Sequence, residues 1–353
     1  VPCISPRAIV FSGVVVLGTV LASAPQTLAA APEAIGEIAN YAGADRAAYL
    51  EAGARTEGKL LVYTVGAQID PLLAAFHKRY PFVSVQAYKG DTVDLDRRVI
   101  EEYNAGVFNV DAYELNDYGL VPLLEAGYLA AFSSPEFVNY PSEAIEPGRH
   151  WVVMREDLVS LGFNTDAIPP DQAPHTNADL LDPKWKNKLG LYGEPTAINF
   201  WVGTILASGG TDLLRKLAAQ NPTDYNLGGR GVANLIVSGE APIVINARRS
   251  HIFASQRDGA KVAWRAIGPV YAAVSAAAIA GRPNHPFAAT LFVDFMLSAD
   301  AQKIYHDDLG YSSMRKDMQT VDEPTAKLYL GSHPDFEREY DEWGRLATQL
   351  LHH

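Results

Sequence analysis

The feature that most constrains this chain is a regular alternation of short apolar runs and helical periods that begins at Gly58. Leu60-Leu61-Val62-Tyr63 is an unbroken apolar run, as expected of a strand buried on both faces. A turn over 64–68 follows, and then a helix with Asp70 as N-cap and Pro71 at its first position. Ile69, Leu72, Leu73, Phe76 and Tyr80 keep helical spacing. Val83-Ser84-Val85 alternates as a strand, 90–92 is a loop, and Leu95, Val99, Ile100 and Tyr103 mark the next helix. Asp111 to Leu115 reads as a third strand, followed by a helix carrying Leu120, Leu123, Leu124 and Tyr128. Strand, loop and helix in repeated order make an α/β fold whose mostly parallel sheet is covered on both faces. Ligands of such sheets gather beyond the carboxyl ends of the strands. The loops at 64–68, 90–92 and 115–117 are therefore the candidate site.

A second unit follows the same grammar. Leu158 to Phe163 is a strand that ends at Asn164-Thr165-Asp166. Leu189 to Tyr192 is a strand leading to Gly193-Glu194-Pro195-Thr196, and 197–208 is a helix that stops at Gly209-Gly210. A helix over about 230–238 precedes the strand Ile243-Val244-Ile245. Asn246-Ala247-Arg248-Arg249 then opens another helix. There is no internal repeat and no Gly/Ser linker between the units, which suits two lobes joined by continuous strands. At 353 residues the chain is long enough for two such units without disulfide or metal staples.

The first thirty residues differ from the rest. Arg7 is their only charge, an apolar run spans Ala8 to Ala22, and Thr27-Leu28-Ala29-Ala30 resembles a cleavage site. This reads as a secretory signal peptide. The run is shorter than the ~18–20 apolar residues a membrane-spanning helix needs. Cys3 is the one cysteine and precedes the run, so the mature chain is expected to carry no disulfide and no thiol nucleophile. An exported chain of this kind suits a periplasm. The formal net charge of −12 argues against nucleic acid as a partner. No H-E-x-x-H, C-x-x-C, G-x-S-x-G or Walker A pattern occurs, and the Gly-rich stretch 228–231 reads as a turn and helix cap.

Several stretches, in order, resemble the extracellular solute-binding proteins of ABC importers, in particular the ferric-ion-binding-like branch. They are Glu57 to Tyr63, Leu161 to Thr165, Asp179 to Lys186, Ser238-Gly239-Glu240, Asn284 to Ala289, Leu291 to Ser298, and Ala301-Gln302. The resemblance covers nearly all of 57–320. It implies a type 2 periplasmic-binding-protein fold: two lobes joined by crossover strands, with a ligand cleft between them. The expected layout is a signal peptide over 1–30 and an N-terminal helical extension over 31–56. The first lobe is 57–153 with 270–312, and the second is 154–269 with 313–353. The resemblance further implies a monomer that delivers a small molecule to a permease in the inner membrane. An enzyme or sensor on the same fold remains an alternative.

In iron-binding members a histidine, a glutamate and two adjacent tyrosines hold the metal. Here Ala67 or Gln68 falls at the histidine, Asn116 at the glutamate, and Arg248-Arg249 at the tyrosines, with Asn246 keeping the preceding asparagine. No metal or other cofactor is therefore expected, and the ferric reading stands as an alternative. A guanidinium pairs in a planar fork with carboxylate or phosphate, so an anionic organic ligand is expected at Arg248 and Arg249. Thr64, Gln68, Thr92 and Thr196 would add neutral hydrogen bonds, with Asn116 beside them. The arginines could instead brace the cleft against Asp91 or Glu194, or form a solvated face. If Asp91 and Glu194 both face the cleft, a zwitterion becomes attractive. Tyr271, near the return crossing, is a hinge or ligand candidate. Phe200 and Trp201 are expected in a helix core, His251 on a polar surface, and His285 in a structural role.

Overall fold

A computed structural model describes residues 32–66, 68–318, 327–328 and 336–351. Residues 1–30, read above as a signal peptide with Cys3 in it, and Ala67 lie outside them. Two helices come first, α1 (Pro32–Ala39) and α2 (Arg46–Glu57). Gly58 ends α2 in the left-handed region (φ 67°), where its N–H reaches Ala54 O, and it turns the chain directly into the first strand. The first unit then runs β1 (Lys59–Thr64), α3 (Asp70–Arg79), β2 (Ser84–Lys89), α4 (Thr92–Asn104), β3 (Ala112–Leu115), α5 (Asp117–Glu125) and β4 (Leu129–Ala130).

A long strand, β5 (Trp151–Asn164), carries the chain across the molecule. The second unit follows as β6 (Gly190–Tyr192), α6 (Pro195–Ala218), β7 (Thr223–Tyr225), α7 (Gly229–Ser238), β8 (Ile243–Arg248), α8 (Arg249–Arg257) and β9 (Val262–Arg265). The return strand is β10 (Val270–Ala280). The chain ends through α9 (Pro286–Leu297), α10 (Ala299–Lys303), β11 (Ser312–Ser313), β12 (Lys327–Leu328) and α11 (Phe336–Leu351).

One sheet holds these strands in the order β2-β1-β3-β10-β5-β8-β6-β7. Its flanks are parallel, β1 with β2 and β3, and β6 with β7 and β8. Its centre is antiparallel, where β10 pairs with β3 and β5, and β5 with β8. Two cores lie on either side of that centre. The first takes Leu60, Val62, Leu115, Val153 and Met154, and then Val274 to Ala280 from the return strand. The second takes Val159, Leu161, Ile245, Tyr271 and Ala273. The change of core thus falls at Met154–Val159 on β5 and at Ala273–Val274 on β10. A β-bulge in the β5–β10 ladder falls at the same place, between Ser275 and Ala276; bulges bend strands and re-aim side chains.

Three differences from the sequence reading have physical reasons. The crossing strand begins at Trp151 rather than near Leu158, because Arg155, Glu156 and Asp157 are buried in it, at most 4 % exposed. A charged triplet hides a strand from a hydrophobicity pattern. The helix expected to stop at Gly209-Gly210 breaks there, with Gly210 at φ 66°, but α6 resumes and runs to Ala218. Its first half seats α11 through Thr196, Phe200 and Gly203, and Trp343 and Ala347 of α11 complete the second core. His251 is half-buried rather than at a polar surface.

Candidate ligand cleft

Four helices begin at one place. Asp91, Asn116, Glu194 and Arg248 are the N-cap residues of α4, α5, α6 and α8, and all four line one cavity of about 490 Å³. It lies where the two cores meet, at the carboxyl ends of β1, β3, β6 and β8. Each helix start offers backbone N–H groups and the positive end of a helix dipole. The cavity is therefore biased toward negative groups before any side chain is counted.

The acids of the wall are partly spent on those helix starts. Asp91 Oδ1 accepts from Asp94 N at 2.9 Å. The two oxygens of Glu194 accept from Thr196 N and Ala197 N at 3.0 Å each. Asp157, from β5, caps α8 by accepting from Ser250 N at 3.1 Å and Ser250 Oγ at 2.8 Å. Asn116 ties three elements together: its Oδ1 accepts from Thr92 Oγ1 at 2.7 Å and its Nδ2 donates to Val274 O at 2.6 Å.

Two arginines enter the wall and differ in how they are held. Arg155 is paired with Glu114 at 2.7 Å, both side chains at most 3 % exposed. Thr64 Oγ1 and Tyr305 Oη also donate to that carboxylate, at 2.5 and 3.1 Å. The Arg155 guanidinium stacks over the Tyr311 ring at 3.9 Å. Arg248 makes one hydrogen bond, to Asp157 Oδ2 at 3.4 Å, and its side chain is 28 % exposed. A guanidinium has five N–H donors, so most of the donors of Arg248 have no protein acceptor among the described residues.

Aromatic rings complete the site. Tyr118, Tyr192 and Tyr311 line the cavity. A small adjoining recess is lined by Phe200 and Tyr271, stacked at 4.2 Å with an interplanar angle of 10°. Burial pushes the Tyr118 phenol up to about 12. Burial also holds the His251 imidazole down, to about 4, beside Arg248, Arg230 and Asp157.

Of the residues singled out from sequence, the structure brings Asp91, Thr92, Asn116, Glu194, Thr196 and Arg248 to the cavity, and Tyr271 to its recess. The other four sit elsewhere. Thr64 is buried beneath the cavity on Glu114. Gln68 is half-buried outside the lining. The Asn246 amide is wholly engaged with the Tyr192 backbone, accepting from N at 2.7 Å and donating to O at 3.1 Å. Arg249 points to Ser312 Oγ at 3.0 Å. Successive residues at a strand-to-helix junction face different ways, so the pair could not act as one. Arg155, Asp157, Tyr118, Tyr192, Tyr311 and His251 escaped the sequence reading. A usable signal was the charged triplet 155–157 inside an otherwise apolar stretch.

Residues 119–330, more than half of the chain, match the family of bacterial extracellular solute-binding proteins. The chain belongs to that family. Its members bind solutes for ABC transporters and hand a small ligand to a membrane permease; they are binding proteins rather than enzymes. No curated protein sequence matches significantly. Among solved structures, iron-bound HitA from Pseudomonas aeruginosa is similar at 21 % identity and TM-score 0.64, over 83 % of this chain and 99 % of that one. The substrate-binding protein of an ABC transporter from Agrobacterium tumefaciens aligns at 14 % identity and TM-score 0.68, over 82 % and 94 %. A Bordetella ferric-binding protein aligns at 20 % and 0.62, over 83 % and 98 %. These likenesses establish the two-lobed fold. No helix among the described residues is long and apolar enough to cross a membrane.

Proposed function

We propose that this receptor captures a small organic anion, a carboxylate, phosphate or phosphonate, in the periplasm. Arg248 is the carrying observation. Its guanidinium stands in the cavity wall at the start of α8 with a single hydrogen bond, at 3.4 Å, among the described residues. Four helix starts around the same cavity add to its pull. The cavity, at about 490 Å³, is of the size that takes an organic molecule rather than a bare ion, roughly 300–1,000 Å³. Thr92, Thr196 and the tyrosine hydroxyls supply neutral hydrogen bonds around the anion.

Ligand binding closes the cleft to the extent that it favours the closed form. The moving bodies in this reading are 57–153 with 270–312 against 154–269 with 313–353, turning about the bulge near Ser275. Residues 1–30 direct export.

The ferric reading has two observations in its favour, three phenols in one cavity and the likeness to iron-bound HitA and the Bordetella ferric-binding protein. Against it, a guanidinium in the wall repels a trivalent cation. One thermal-shift series decides between the two. An anion that binds only the folded protein adds about 2.7 kcal/mol at a hundredfold excess over its dissociation constant. A rise with carboxylates, phosphates or phosphonates that Arg248→Ala abolishes is the expected result. A rise with ferric citrate alone, with a visible phenolate-to-iron band, overturns it.

A further inference from the structure

The charges around the cleft do not cancel, and the excess has the wrong sign for an anion alone. Arg155 is answered by Glu114 directly behind it, at 2.7 Å. Arg248 is balanced in charge by Asp157 at 3.4 Å, although most of its donors stay open. Half-buried His251 is held low, to about 4, by desolvation and the neighbouring arginines, and supplies no cation. Asp91 and Glu194 remain. Both line the cavity, and neither has an ion-pair partner among the described residues. The helix starts they cap offer only about half an elementary charge each. An ionised carboxylate also has roughly four acceptor sites, and their capping bonds use one on Asp91 and two on Glu194. Both acids therefore retain charge and acceptor capacity for a cationic donor.

Resting on the anion reading, we infer that the ligand is a zwitterion, a small molecule carrying an ammonium group as well as its acid, with the ammonium held by Asp91 and Glu194. The two acids stand on opposite units, Asp91 before α4 and Glu194 before α6. An amine bound to both ties the two units together and favours closure, which an acid held at Arg248 alone does not. A primary ammonium has three donors, enough for both carboxylates and a neighbouring hydroxyl such as Thr196 Oγ1.

Matched ligand pairs test this by titration calorimetry on the full chain. Propionate is compared with β-alanine, ethylphosphonate with 2-aminoethylphosphonate, and ethyl phosphate with phosphoethanolamine. The expected result is that in at least one pair the amine-bearing member binds about tenfold tighter or more, the contribution of one charge-assisted hydrogen bond. Asp91→Asn and Glu194→Gln keep polar acceptors at the helix starts. Each should remove most of that preference while the amine-free partner binds as well as before or better. A merely structural role would weaken both members alike, and that outcome overturns the inference. If amine-free anions bind and the amine adds nothing, the inference falls and the anion reading stands. If no member of any pair binds, both fall.

Discussion

The molecule has two cavities of similar size and opposite character. One is the cleft, about 490 Å³; the other is a groove of about 560 Å³ on the outside of the first unit, walled by α2, α9 and the 133–136 segment. The groove is the larger, and it also contains two arginines and two acids, Arg46, Asp294 and Glu136 inside it and Arg79 on its exposed rim beside Asp300 at 3.4 Å. There, each charge is answered. Arg46 pairs with Asp294 at 2.9 Å and donates to Tyr41 O at 2.6 Å and Ser133 O at 2.8 Å. Glu136 accepts from Arg315 at 2.6 Å. In the cleft Asp91 and Glu194 have no cation among the described residues. Volume does not separate the two; unanswered charge does. The groove's polar groups hold α2, α9 and the 133–136 segment together, and the cleft's wait for a ligand.

Exchanging an arginine for alanine in each place sharpens the contrast. Arg46→Ala leaves the buried Asp294 carboxylate without its partner, a loss of about 3–5 kcal/mol. Denaturant unfolding should show that loss, and calorimetry should show unchanged ligand affinity in the protein that still folds. Arg248→Ala should cost about 2–5 kcal/mol of binding and less stability than Arg46→Ala, because the Asp157 carboxylate it leaves keeps both bonds from Ser250. If Arg46→Ala weakens binding as much as Arg248→Ala, the division between the two cavities is wrong. Next in size is Asn246→Ala. Asn246 lies between β8 and β6, and removing both of its bonds to Tyr192 should destabilise by about 1–3 kcal/mol. Affinity should fall only through displacement of the Tyr192 side chain, so a loss of binding matching that of Arg248→Ala would assign Asn246 a direct ligand contact.

The same contrast explains what could be read from the sequence. Loops after strands are marked by local pattern, which brought Asp91 and Glu194 to the cleft, and the family resemblance brought Asn116 and Arg248. The outer elements of the sheet were legible because Leu60 to Tyr63 and Ile243 to Ile245 are apolar. Arg155 and Asp157 were not found, because they belong to the crossing strand. Their burial depends on partners far along the chain, Glu114 for one and Ser250 for the other. Tyr118 and His251 escaped for a related reason: a half-polar side chain just inside a helix start looks the same whether it faces water or a cleft. Arg249 shows the converse error. Adjacency in sequence suggested a pair, and the turn from β8 into α8 sends its side chain to Ser312.

The smallest effect probes the unanswered charge of Asp91 directly. Asp96 lies one turn along α4 from that end, and burial, together with the charge of Asp91, raises its carboxyl to about 7. Below about pH 4 the side chain is protonated in the folded and the unfolded chain, and it contributes no pH dependence there. Between about pH 4 and 7 the unfolded chain gives up the proton while the folded chain keeps it. Stability from this group is therefore present at low pH and falls as pH rises, with the loss complete above about 7. Asp96→Asn should flatten that slope in unfolding midpoints taken from pH 4 to 8. Asp91→Asn should lower the Asp96 value without abolishing the slope, since burial is the larger cause. A bound ammonium should act in the same direction as Asp91→Asn, because it answers the charge that Asp96 feels. A carboxyl resonance of Asp96 that titrates identically with and without an amine-bearing ligand would mean that the charge of Asp91 is answered by something other than the ligand, and the cleft would then resemble the outer groove.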